Sequence, residues 1–182
     1  MKVSLSPSKA LQASPPSTVV MTTCMDSKGK ANIITLGMFM GISHDPPLIV
    51  IGVSPKRYSH DLIAKSGEFV VNVPSINLER EMHYCGITSG RDVDKFAETG
   101  LTATPAKKVK PPLIKECYSH LECKVVESHV YGDHTLFVGE VLEATIDKEV
   151  LTKGNPDLLK AKPIVQKNHI YFTVAKDSSR KS

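Results

Sequence analysis

Asp45-Pro-Pro-Leu-Ile-Val-Ile-Gly-Val-Ser-Pro-Lys-Arg-Tyr-Ser59 joins an apolar run to a cationic turn. Leu48 to Val53 is apolar and largely β-branched, is too short for an independent helix and follows two prolines, so it reads as a buried strand. Ser54 to Ser59 then supplies two hydroxyls, two cations and a stiffening proline, Pro55, and Tyr58 to Ala64 predicts a short helix directly behind the turn. A strand ending in such a turn at a helix start is a seat for phosphate, because free backbone N–H groups and the helix dipole favour negative charge there. Standing alone, Lys56 and Arg57 would read as solvated turn residues, so the rest of the chain has to decide.

The flanking sequence continues the β pattern. Thr18 to Met25 is a strand by its β-branched content, Asp26 to Gly29 is a turn, and Ala31 to Ile42 reads as one long second strand paired with the first. Gly67 to Val73 is a further strand stopped by Pro74, and Asn77 to Tyr84 predicts a helix capped by Asn77. Cys85 to Asp92 reads as a loop, Val93 to Glu98 as a short helical turn ended by Gly100, and Lys107 to Pro112 as a connector with solvated charges. Tyr118–Val130 and His134–Ile146 form a long hairpin, Lys153 to Pro163 a loop with one helical turn, and His169–Val174 a last strand. Successive strands joined by short turns, with few helices between them, predict a mainly β antiparallel barrel or sandwich.

A chain of 182 residues suits one domain, taken here as residues 1–182. Its 41% hydrophobic and 23% charged residues are those of a soluble globular protein. Without an apolar run near the ~20 residues that span a bilayer, and without the apolar core of a secretory leader after Met1, the expectation is a cytoplasmic protein. Cys24, Cys85, Cys117 and Cys123 lack CxxC spacing and are expected to be free thiols. The formal charge of +4 is modest and comes partly from the tail Ser178-Ser-Arg-Lys-Ser182, while 5% aromatic residues and no Trp count against a base-stacking surface.

Cys117, His120 and Cys123 carry zinc-ligand chemistry. On a strand, however, the two cysteines share a face that His120 does not, and their sulfurs lie ~20 Å apart at ~3.3 Å per residue. Ser89-Gly-Arg-Asp-Val-Asp-Lys95 offers a hydroxyl, two cations and a permissive glycine, a set suited to an anion and equally common in solvated loops. His134 follows the Gly132-Asp133 turn and opens a strand, where a barrel rim meets ligands. The chain has no HExxH, Walker A or GxGxxG pattern, which lowers the odds of a zinc hydrolase, a P-loop protein or a Rossmann enzyme.

Five stretches, in this order, resemble the flavin reductase-like proteins, in particular the flavoredoxin and archaeal ferric reductase branch. They are Asn32-Ile-Ile-Thr-Leu-Gly-Met38, Ser43 to Ser59, Gly67-Glu-Phe-Val-Val-Asn-Val-Pro74, Cys85-Gly with Ser89-Gly-Arg-Asp and Asp94-Lys-Phe96, and Gly132-Asp-His-Thr-Leu-Phe-Val-Gly-Glu-Val141. The resemblance implies a Greek-key FMN-binding split barrel that dimerises, with FMN near the interface. By the same resemblance, Thr35, Leu36, Gly37 and Met38 line the isoalloxazine, while Ser54, Lys56, Arg57 and Ser59, around Pro55, meet the phosphate and ribityl chain. Cys85, Gly86, Ser89, Gly90, Arg91 and Lys95 close over the cofactor, and His134 stands where a nicotinamide or other donor approaches. The function expected is hydride uptake from NADH or NADPH and electron delivery to flavin, ferric complexes or a redox partner. One alternative is an FMN electron carrier without nicotinamide turnover; another is a cofactor-free barrel that binds nucleic acid or protein through its basic loops.

Overall fold

The computed structural model describes residues 2–175. Met1 and the charged tail Ser178–Ser182 lie outside the described residues. Val20–Met25 (β1) and Ala31–Leu36 (β2) pair antiparallel, with Val20 opposite Leu36. In the turn between them the Asp26 carboxylate accepts the backbone N–H groups of Lys28 and Lys30 at 2.9 and 2.8 Å. Phe39–His44 (β3) and Pro47–Val53 (β4) form a second hairpin around a cis Asp45–Pro46 bond. Glu68–Val73 (β5), Ser119–Tyr131 (β6) and His134–Ile146 (β7) complete a seven-stranded antiparallel sheet in the order β2-β1-β5-β6-β7-β4-β3. The long hairpin β6–β7 turns tightly at Gly132-Asp133, with Tyr131 opposite His134.

The strand order shows why Ala31 to Ile42 is not the single strand expected from its sequence. The chain breaks at Gly37-Met38, and β2 and β3 lie at opposite ends of the sheet although only these two residues separate them. The Gly52 N–H donates to the Met38 carbonyl at 3.0 Å, which pulls the connection away from β2 and onto β4. The sheet therefore curls until its two edges meet at one short link, and no ladder is assigned between β2 and β3. The result is a barrel split along that seam.

Phe69, Phe137, Ile51, Ile63 and Val71 fill the barrel. A second core packs on the outer face of β1 and β2, where Met21 and Ile33 meet Met82, Cys85, Cys117 and Ile164. These two strands are covered on both faces, which accounts for their nearly continuous apolar sequence. Helix α1, Tyr58–Ser66, drives Leu62 and Ile63 inward and stops at Gly67, whose φ of 68° suits a glycine.

Helix α2 runs from Glu79 to Ile87 and departs from expectation at both ends. Asn77 is not its cap; it lies in the 3-10 turn Ile76–Leu78, and Leu78 precedes the helix without a side-chain cap. Cys85, Gly86 and Ile87, expected in a loop, form its last turn, because Met82 and Cys85, three residues apart, both bury against β2. Helix α3, Lys95–Thr99, starts two residues later than predicted; Asp94 caps it by accepting the N–H groups of Phe96 and Ala97.

The connector Lys107–Pro112 also differs in part. Its lysine side chains are exposed, but its backbone is held by the buried carboxylate of Glu122, which accepts the N–H groups of Lys107 and Lys108 at 3.0 and 2.6 Å. Cys117, His120 and Cys123 go to separate places. The cysteines join the second core and the barrel core, while the His120 ring meets the Ile114 carbonyl and the Thr145 hydroxyl. Near the C-terminus Val165–Lys167 (β8) and Ile170–Phe172 (β9) form a small hairpin, and β8 also pairs with Ser17–Thr18. The last strand is thus shorter than the predicted His169–Val174.

Removing Glu122 should release the connector. Glu122→Ala is expected to lower stability by roughly 1.5–3 kcal/mol as its charged hydrogen bonds disappear. It should also speed tryptic cleavage at Lys107 and Lys108; unchanged cleavage rates would show that the connector is held otherwise.

Candidate functional site

The turn after β4 and the start of α1 wall one side of a small pocket. Arg57 occupies the N-cap position of α1 without a side-chain cap; the His60 N–H donates to the Arg57 carbonyl at 3.0 Å, and the N–H groups of Tyr58 and Ser59 stay available to an anion. Lys56, Arg57 and Ser59 line this pocket on one side, and Cys85, Gly86, Ser89, Gly90 and Lys95 line it on the other. The pocket is closed to ≈ 80 Å³, the scale of a single phosphate group, and no carboxylate lines it.

Its floor is built from buried polar groups. Asn32 Nδ2 donates to Ser59 Oγ at 2.8 Å, and both residues are buried. A Cβ on Gly90 would collide with Asn32 Oδ1, so the loop reaches this floor only with a glycine there. Lys95 Nζ donates to the Ile33 carbonyl at 2.6 Å and to the Cys85 carbonyl at 2.7 Å. An ammonium has three N–H groups, so one remains for a guest in the pocket. Burial holds the Lys95 pKa below the ordinary lysine range; the neighbouring thiols of Cys85 and Cys24 oppose that shift and Arg57 adds to it.

Arg57 also lines a wider cleft of ≈ 630 Å³ that opens beside the pocket, and Ile34 and Gly86 are likewise shared. Thr35, Leu36, Gly37 and Met38, at the split of the barrel, form one wall, and Ser54 and His134 also line the cleft. His134 Nδ1 lies 2.8 Å from Asp133 Oδ1, a contact that holds the Asp133 carboxyl below the usual range. The remaining wall joins segments distant in sequence, Leu11, Ser14 and Ser17 from one and Gln166 to His169 from the other. Lys167 Nζ clamps these segments together by donating to the carbonyls of Leu11 and Ser14.

Two residues of the expected set line neither cavity. Pro55 lies exposed in the turn, and Arg91 sits 5.0 Å over the Tyr58 ring while bridging to Asp61 at 3.0 Å. Arg91 therefore latches the 88–94 segment onto α1 beside the pocket. The sequence reading missed Asn32, Gln166 and the N-terminal residues as lining groups. Asn32 left one signal, a polar residue inside an apolar strand, whereas the others come together only through the pairing of β8 with Ser17–Thr18.

The chain matches the flavin reductase-like domain over residues 13–172. It is 31% identical to a flavoredoxin of Methanosarcina acetivorans, whose structure superposes with a TM-score of 0.88 over 99% of this chain and 95% of that one. A flavoredoxin of Desulfovibrio vulgaris is 27% identical with a TM-score of 0.91, over 99% of this chain and 97% of that one. An NADH-dependent flavin reductase of a Rhodococcus species is 28% identical over 132 residues, 71% of this chain and 69% of that protein. The fold, the paired cavities and these matches define a flavoprotein-type split barrel. The chain belongs to the flavin reductase-like family.

All four cysteines are free and buried. Burial pushes the Cys24 and Cys85 thiols up from 9.0 to about 11, Cys123 up to about 12 and Cys117 higher still. Cys85 is therefore no thiolate at neutral pH. A thiol with a raised pKa in the folded state contributes stability that is fully present below the unfolded value and disappears as pH rises through the folded one. Lys95, shifted down by burial, works in the opposite sense, but it is one group against four. The urea midpoint of the reduced protein should hold to about pH 9 and fall towards pH 11, with roughly 2–3 kcal/mol at stake for each of Cys24 and Cys85. A midpoint that is level across that window would contradict the buried-thiol account.

Proposed function

We propose that this chain is an FMN-binding oxidoreductase that accepts hydride from NADH or NADPH and passes electrons to free flavin, a ferric complex or a redox partner. The observation that carries this reading is the join of two cavities. A carboxylate-free pocket of phosphate size, with Lys56, Arg57 and Lys95 in its walls, opens at Arg57 into a cleft wide enough for a flat ring system. The family and the NADH-dependent relative support the donor.

In this reading Lys56, Arg57, Lys95 and the uncapped start of α1 hold the phosphate by charge-assisted bonds. Backbone at Thr35 to Met38 borders the ring, and Asn32 with Ser59 keeps the pocket floor rigid. Asp133 fixes the His134 imidazole at the cleft wall, where it orients an incoming donor or acceptor. The flavin, once bound, supplies the hydride and electron chemistry itself, so the protein needs no nucleophile or metal of its own.

A homodimer fits the surface. Met38, Met40 and Ile42 expose 46, 59 and 45% of their area along the edge of the sheet, and Val126, Val130 and Tyr131 are exposed on the β6–β7 hairpin. Free buried thiols, and the lack among the described residues of any helix long and apolar enough to cross a membrane, support a cytoplasmic site. The likeness to two flavoredoxins supports a second reading, an electron carrier that holds FMN without turning over nicotinamide nucleotide. The cations face cavities, which favours both readings over a basic surface for nucleic acid.

The test is an absorption spectrum of protein loaded with FMN, followed by anaerobic addition of NADH or NADPH. A flavin band that bleaches with either nucleotide is expected; a stable band would select the carrier, and no FMN uptake would sink both. Lys56→Ala with Arg57→Ala should weaken FMN binding by ~1.5–3 kcal/mol for each charged hydrogen bond to phosphate that the substitutions remove. Equal affinity in this double variant would remove the turn from the site.

A further inference from the structure

A third cavity, ≈ 380 Å³, branches from the ring cleft between α2 and the β8–β9 hairpin. It shares Thr35, Gly37, Arg57, Gly86, Gln166 and His169 with the cleft, so the two are continuous. Its own polar residues are His83 and Tyr171, whose Nδ1 and hydroxyl lie 3.0 Å apart across the groove, with the rings edge to face. Its remaining side chains, Val19, Met82 and Ile87, are apolar. No Asp or Glu lines it. Glu79 lies near enough to help raise the Tyr171 pKa, after burial, but is not part of the wall.

The backbone supplies a second, independent observation. Asn168 and His169 both take positive φ, 51° and 63°, in the two-residue turn between β8 and β9. This primed hairpin turn is most readily built from Asn-Gly, where glycine takes the second position at no steric cost. Here a histidine occupies that position, and its side chain borders both the ring cleft and the branch. The turn fixes the backbone of His169 at the border of the two cavities.

We infer that this branch is an anion subsite beside the ring, holding the phosphate or carboxylate group of the molecule that exchanges electrons with the flavin. The inference rests on the flavin reading of the main cleft. Arg57 stands at the junction with the cleft as the cation that lines the branch, while His83, His169, Gln166 and Tyr171 provide directional hydrogen bonds. Val19 and Met82, both buried, make one wall of the groove apolar, with Ile87 exposed at its rim. A nicotinamide nucleotide would present its pyrophosphate there, and a ferric chelate such as the citrate complex would present a carboxylate.

The experiment uses FMN-loaded wild type and the variant His83→Leu/Tyr171→Phe, whose two positions line the branch and not the cleft, each first checked for FMN affinity and folding by flavin fluorescence and circular dichroism. Inorganic pyrophosphate and citrate are then titrated separately, and binding is read from the perturbed flavin spectrum. Wild type should bind at least one of them about tenfold more tightly than the variant, while FMN affinity stays the same. Competition of pyrophosphate with NADH assigns the subsite to the donor, and competition of citrate with ferric citrate assigns it to the acceptor. Equal affinity of both proteins for both anions, with FMN retained, overturns the subsite and leaves the flavin reading intact. Failure of wild type to take up FMN overturns both. If the double variant misfolds, the single variant His83→Leu replaces it and should show a severalfold weakening.

Discussion

Lys95 Nζ bonds the Ile33 carbonyl on β2 and the Cys85 carbonyl in the last turn of α2, so a buried ammonium ties a barrel strand to two helices. Removing a charge from water costs several kcal/mol, and two carbonyl dipoles offset only part of that. An anion in the adjoining pocket would supply the remainder of the compensation. The same contact that fixes the pocket wall therefore leaves a partly compensated positive charge at its edge. Asn32, Ser59 and Gly90 depend on this arrangement, since the 88–94 segment can lie on Asn32 only while α2 and α3 hold its two ends.

Around that point the fold divides its labour. The barrel interior, packed around Phe69 and Phe137, supplies a rigid frame and carries little of the site. The outer core between β1, β2 and α2 sets the distance from strand to helix, and both the small pocket and the wider cleft open along its margin. The split between β2 and β3 leaves the Thr35–Met38 backbone free of a ladder partner on one side, where a flat ligand can approach. Sites built on such frames hold their geometry because the polar groups are fixed by packing before a ligand arrives.

Much of this was legible in the chain. The stretch from Asp45 to Ser59 carried its strand, turn and helix in local chemistry, since two prolines, a β-branched run and a Ser/Lys/Arg turn each act within a few residues. The long hairpin was equally plain, because Gly132-Asp133 separates two runs of strand-forming residues. The failures share a different origin. Ala31 to Ile42 has the composition of one strand, and only the bond from Gly52 to Met38 divides it. Cys85 to Ile87 looks like a loop because Gly86 is a poor helix former, yet burial of Cys85 against β2 outweighs that propensity. Lys95 appeared as a loop cation, and its burial follows from the packing of α3, which no local pattern records. The site residues near the two termini were hidden most thoroughly, since about 150 residues separate Ser17 from Gln166, which are opposite one another in the sheet.

That last pairing orders events during synthesis. The small pocket draws only on residues between 32 and 95, whereas the wider cleft needs Gln166 to His169 folded back onto the N-terminal segment and clamped by Lys167. A nascent chain whose residues near 166 are still inside the ribosome lacks that wall. The wall of the cleft is thereby the last part of the candidate site to be completed as the chain emerges.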